Sequence, residues 1–235
     1  MQTYSALPMD SARMTAHFVN LLDDLRRRSL RMAAMVEDML EEAGEAVFRS
    51  DELLARRIVA RDQEVDREEV EVEAEVIRLM ALYQPVGSDL RLLCTVLKVN
   101  NDLERIADCV VNIAERAKHL ELQPVAQNCL ELKRMVPAVR RVLRSAIHAY
   151  NTEDADAARL VLREDAAIDA LYQQIARRVV ADASASPEMV QAQVDLMGVA
   201  KSLERIADHA TNIAEDVIFL TTGAIVRHRE DSSLS

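Results

Sequence analysis

Apolar residues recur at helical spacing through six long stretches of the chain. The first stretch runs from about Ser11 to Val47. The second opens near Ser50, an N-cap residue followed by Asp51 and Glu52, and carries the stripe Leu54, Ile58, Val65, Val72, Val76 and Leu79. Pro85 and Gly87 end it. Ser88 and Asp89 cap the third, which reaches about Leu122. The fourth spans about Val125 to Tyr150, with Pro137 inside it as a kink or a split. Asn151 or Thr152 caps the fifth, which ends near Ser184. Ser186-Pro187-Glu188 opens the sixth, which fades by Gly223 and leaves a polar tail.

An internal repeat organises these helices. Residues 103–115 read LERIADCVVNIAE and residues 203–215 read LERIADHATNIAE, with ten of thirteen positions identical at an offset of 100. A weaker echo sets Asp62-x-x-x-Asp66 against Asp165-x-x-x-Asp169. The expectation is an all-α fold of two tandem three-helix bundles related by a pseudo-twofold repeat. Short loops make the neighbouring helices antiparallel. The seam falls near Gln123–Pro124, giving an N-terminal bundle over 1–123 and a C-terminal bundle over 124–235.

Composition narrows the function. The 235 residues carry a net charge of −11, which argues against nucleic acid and against a polybasic membrane anchor. No run of apolar residues is long enough to cross a bilayer, and none resembles a signal peptide, so the chain reads as cytoplasmic. Cys94, Cys109 and Cys129 are scattered and odd in number, which is no disulfide framework. Phosphate-cradling glycine loops and nucleophile elbows are absent, and Ser29 and Ser145 lack a recognisable base. The chain therefore reads as a non-enzyme. The early methionines, among them Met32, Met35 and Met39, read mostly as core filler. Arg26-Arg27-Arg28 reads as ion pairing with an acidic neighbour rather than as an anion site.

The candidate chemistry is carboxylate. On the third helix Glu104, Asp108, Asn112 and Glu115 share a face away from the apolar stripe of Leu103, Ile106, Val110 and Ile113. Asp62, Asp66, Glu69 and Glu73 line one flank of the second. The second half repeats this with Asp165 and Asp169 opposite Glu204, Asp208, Asn212 and Glu215. A run of acids is usually a solvated face. Here both copies keep Glu, Asp, Asn and Glu at the same places, which favours two hard-cation sites suited to Mg, Ca, Mn or Fe. No E-x-x-H occurs, which argues against a ferritin-like oxidase. Cys109 and His209 occupy equivalent positions beside the stripes and read as non-ligands. The other histidines show no metal spacing.

The segment Tyr83-Gln84-Pro85-Val86-Gly87-Ser88-Asp89-Leu90-Arg91, followed by the paired LERIAD segments at 103–108 and 203–208, resembles the PhoU family of bacterial phosphate-transport regulators. The resemblance runs from about residue 11 to 222. It implies tandem three-helix bundles and a negative regulator of phosphate uptake and the phosphate-starvation response. Its implied partners are the phosphate ABC transporter, on its cytoplasmic ATPase side, and the phosphate sensor histidine kinase, so membrane contact is only through partners. Family habit implies a homodimer. Metal clusters on E(D)-x-x-x-D motifs carry over to Asp62, Asp66, Glu104 and Asp108, and to Asp165, Asp169, Glu204 and Asp208. Asn112 and Asn212 follow as outer members, and Fe, Mn, Mg or Zn as the ion. The alternative is a metal-dependent hydrolase acting on phosphate compounds.

Overall fold

The computed structural model describes residues 8–49, 51–119, 122–185 and 189–226. These form seven helices: α1 (Pro8–Arg49), α2 (Glu52–Tyr83), α3 (Gly87–Ala117), α4 (Leu122–Asn128), α5 (Leu130–Thr152), α6 (Ala155–Ala185) and α7 (Val190–Thr222). No strand occurs among the described residues. α1, α2 and α3 make one three-helix bundle, and α5, α6 and α7 make the other. α4 is a short link lying against α1, α5 and α7.

Each bundle closes because its helices carry one apolar stripe. On α2 the buried residues are Ala55, Ile58, Val65, Val72, Val76 and Leu79, close to the expected set, with Leu54 only partly covered. Met32 and Met39 are fully buried, and Met35 packs against the same core. One buried cluster runs through both bundles, from Val36 and Met39 on α1 to Ile206 and Ile213 on α7. A smaller one, built on Phe18, Leu22, Val76, Leu79 and Leu93, fills the outer end of the first bundle.

The bundles join along two antiparallel helix pairs. Between α1 and α5, Arg144 Nε reaches Glu37 Oε1 at 2.5 Å and Arg26 Nη1 reaches Glu153 Oε1 at 2.6 Å. Between α3 and α7, Lys98 pairs with Asp216, Asp102 with His209, and His119 with Asp195. This register brings the repeated LERIAD segments side by side at the seam.

Several helix ends differ from the sequence expectation. Asp51, not Ser50, caps α2, its Oδ1 accepting from Leu54 N at 2.9 Å; Ser50 itself lies outside the described residues. α3 begins at Gly87 after an extended Val86 with no side-chain cap, so Ser88 and Asp89 sit in the first turn. α2 stops because Gln84 turns left-handed (φ 47°) ahead of Pro85, its N–H bonding Met80 O. α5 runs through Asn151 and Thr152 to a left-handed Glu153, and Asp154 caps α6 through bonds from Asp156 N and Ala157 N. The fourth stretch is split, but at Cys129 rather than at Pro137. Asn128 and Cys129 are both weak helix formers, Cys129 is extended (φ −89°, ψ 100°), and Pro137 stays inside α5. The Ser186-Pro187-Glu188 cap lies outside the described residues.

Candidate functional site

α2 and α3 lie side by side, so the carboxylates on their flanks meet. Asp62 is half-buried, and burial, then Asp66 beside it, then Asp108 across from it, push its carboxyl up to about 6. Burial raises Glu69 and Glu104 as well, with Glu73 and Asp108 respectively the largest like charges on each. Arg105 is the nearest counter-charge: Nε stands 3.2 Å from Glu104 Oε2 and Nη1 3.3 Å from Asp108 Oδ2. Even so, Glu104 Oε2 is buried and accepts no hydrogen bond.

α6 and α7 repeat the arrangement. Asp165 is pushed up to about 6 by burial, then by Asp169, Asp208 and Glu204. Asp208 is raised by burial and by Glu204. Lys201 Nζ holds Glu204 Oε2 at 2.5 Å, and Asp165 Oδ1 is buried without a hydrogen-bond partner. The structure thus brings Asp62, Asp66, Glu104 and Asp108 into one electrostatic group, and Asp165, Asp169, Glu204 and Asp208 into another.

Other expected members fall elsewhere. Asn112 is exposed and turns its amide back onto Asp108 O at 2.8 Å. Asn212 leaves its stripe and donates to Asp102 Oδ1 at 3.2 Å, across the seam. Glu115 is paired with Lys118 at 2.7 Å. His209 also faces Asp102, its Nδ1 2.8 Å from Oδ1, which agrees with its reading as a non-ligand. Cys109 is fully buried, and burial raises its thiol. Among the described residues no three His, Cys, Asp or Glu side chains are already gathered as a ligand set. The donors are therefore hard oxygens, two of them buried and orphaned, on side chains that must rotate together to share a cation.

The basic cluster on α1 behaves as expected. Arg26 reaches Glu153, Arg27 pairs with Asp24, and Arg28 bonds Glu68 at 2.7 Å and also Glu71. Ser29 is buried and accepts from Tyr150 Oη at 3.3 Å, a structural role. A cavity of about 750 Å³ between α1 and α2 is rimmed by Glu42, Glu45 and Arg57, and none of the stripe carboxylates lines it.

The PhoU domain model matches residues 29–117 and 132–217, one copy in each bundle. The chain belongs to the PhoU family. A phosphate-specific transport system accessory protein PhoU homolog from Deinococcus radiodurans is 35% identical over 196 residues, covering 83% of this chain and 92% of the relative. One from Pseudomonas putida is 35% identical over 208 residues, covering 88% and 81%. The crystal structure of PhoU from Pseudomonas aeruginosa superposes with a TM-score of 0.84 at 32% identity, covering 88% of this chain and all of that one. The phosphate transport system regulatory protein PhoU from Streptococcus pneumoniae superposes at 0.82 and 25% identity, covering 89% and 99%.

Two features of this PhoU-family chain were not singled out from sequence. One is the buried Asp102, which ties His209 and Asn212 of the other bundle to α3. The repeat held a signal for it: position 102 is Asp where 202 is Ser, and position 209 is His where 109 is Cys. The other is an exposed apolar line on α2. Val70, Ala74, Ile77 and Ala81 recur at helical spacing on its solvent side.

Proposed function

We propose that this chain is a regulatory accessory protein of phosphate transport, acting as a non-enzymatic adaptor. Its place in the PhoU family supports the phosphate-transport role, because the relatives carry that role in their names. The observation that carries the adaptor reading is the outer face of α2. Val70 is 61% exposed and Ile77 55%, in line with Ala74 and Ala81, two small residues that let a partner helix approach closely. An outward apolar stripe at this spacing suits the docking of a partner helix.

The partners are the phosphate ABC transporter, at its cytoplasmic ATPase side, and the sensor histidine kinase. No described helix is long and apolar enough to cross a membrane. The proposed membrane contact runs through those partners. Phosphate excess favours the bound complex and keeps the starvation response off. A homodimer is the proposed assembly, and the two repeat halves, 1–123 and 124–235, are its structural units. The two carboxylate groups hold Fe, Mn, Mg or Zn. Their orphaned oxygens and raised carboxyls support this, since a cation relieves both burial and like-charge repulsion. Bound there, a cation would lock α2 to α3 and α6 to α7.

Co-purification tests the reading. The tagged wild-type chain should retain the detergent-solubilised transporter or the kinase, and Ile77→Glu with Ala74→Glu should lose it while keeping its helical content. Absence of both partners from the wild-type eluate, or equal capture by the variant, contradicts the adaptor reading.

A further inference from the structure

The groove between α3 and α7 holds an open cavity of about 460 Å³, and none of the stripe carboxylates lines it. In a chain of net charge −11, three cations line it: Lys98, Arg105 and Arg205. Its one carboxylate, Asp102, is 5% exposed, and its Oδ1 already accepts from His209 Nδ1 at 2.8 Å and Asn212 Nδ2 at 3.2 Å. Asp102 therefore serves the wall of the cavity, orienting two further lining side chains.

The three cations are held differently. Lys98 Nζ is tethered by Asp216 Oδ1 at 2.9 Å and lies 4.9 Å from the Phe219 ring centroid, which fixes its position. Arg105 is tethered by Glu104 and Asp108 on its outer side. Arg205 is exposed and makes no ion pair among the described residues, so its five donors are unspent. Guanidinium groups match the oxygens of a phosphoryl group.

The pseudo-twofold repeat does not reproduce the Asp102-centred wall at the other end, although cations stand there too, with Lys201 in place of Asn101 and Arg205 and Arg105 exchanging places. At the other end of the seam Gly198 stands in place of Lys98, Ser202 in place of Asp102 and Cys109 in place of His209. The Arg116 side chain lies over Gly198. The wall of Asp102, His209 and Asn212 is thus a feature of one end of a duplicated framework.

We infer that this cavity binds a multivalent oxyanion of the phosphoryl class, with Arg205 making the principal contact and Lys98 and Arg105 completing the cradle. Its volume exceeds that of a bare oxyanion and lies within the range of small-molecule sites, so a phosphoryl group still joined to its carrier also fits.

Calorimetric titration of the full chain, in chelator to remove cation bridging, tests this with inorganic phosphate, pyrophosphate and ATP as separate probes. Saturable binding of at least one is expected, weakened about tenfold or more in Arg205→Gln and in Lys98→Gln, and partly kept in Arg205→Lys. Preference for inorganic phosphate or pyrophosphate identifies a free anion as the ligand, and preference for ATP identifies a nucleotide carrier. Circular dichroism of the variants, both at exposed or partly exposed positions, should match wild type. No binding of any probe, or equal affinity in Arg205→Gln, overturns the assignment. The outcome is independent of whether the chain docks on a transporter.

Discussion

Asp62 and Asp165 are the residues at which burial and like charge act together. Each is half-buried and faces a second acid on its own helix, Asp62 also faces Asp108 and Asp165 also faces Asp208 and Glu204, and each is pushed from 3.8 up to about 6. A raised carboxyl binds its proton more tightly in the folded chain than in the unfolded one. Its contribution to stability is complete below pH 3.8 and is lost as the pH rises through about 6. Denaturant titrations of chelated protein should show stability falling across that window, with Asp62→Asn/Asp165→Asn flattening the slope. Added Mn should restore stability at neutral pH, and Glu104→Gln/Asp108→Asn should lose the first site's share of that gain. A flat wild-type profile, or no response to Mn, contradicts the reading of the stripes. These carboxylates were legible from sequence because the repeat marks them and i, i+4 spacing stacks them on one face. Asn212 was misplaced for a physical reason. It lies at the edge of its stripe, and the decisive partner, Asp102, comes from a helix about a hundred residues away, which helical periodicity does not encode.

At the scale of the elements, the order of the long helices followed from apolar spacing, while the separate short α4 and the helix ends did not. Ends depend on single cap bonds, and several candidate caps stood within a residue or two of each other, as with Ser50 and Asp51, or Thr152 and Asp154. Packing separates two glycines that look alike in sequence. A Cβ on Gly44 of α1 would stand 2.8 Å from Val136 Cγ1 of α5, a short branched side chain in the core. A Cβ on Gly198 would meet only the Arg116 side chain, which is long and can swing away. Alanine gains about 1 kcal/mol over glycine in a helix interior, and overpacking costs about 1–3 kcal/mol. Gly44→Ala should therefore destabilise the chain by about 1 kcal/mol, and Gly198→Ala should stabilise it by up to about 1 kcal/mol. Chemical denaturation measures both; the opposite order would mean that the α1–α5 contact yields more readily than the seam.

The whole molecule is two copies of one bundle sharing a continuous core. Where the halves meet, the LERIAD segments stay nearly identical, and single differences such as Asp102 against Ser202 and His209 against Cys109 make the two ends of the seam unequal. The duplicated framework was visible in the sequence because identity survives at the LERIAD segments. The seam itself was not, because which helices pair across it depends on how two finished bundles dock. A helical frame with an exposed apolar face on α2 suits a protein that works by being held against others. The most direct measurement is the output of a phosphate-starvation reporter in cells lacking the gene, grown in abundant phosphate. The account predicts derepression, reversed by the wild-type gene and not by Ile77→Glu/Ala74→Glu. A reporter that stays silent in the deletion strain would contradict the regulatory role.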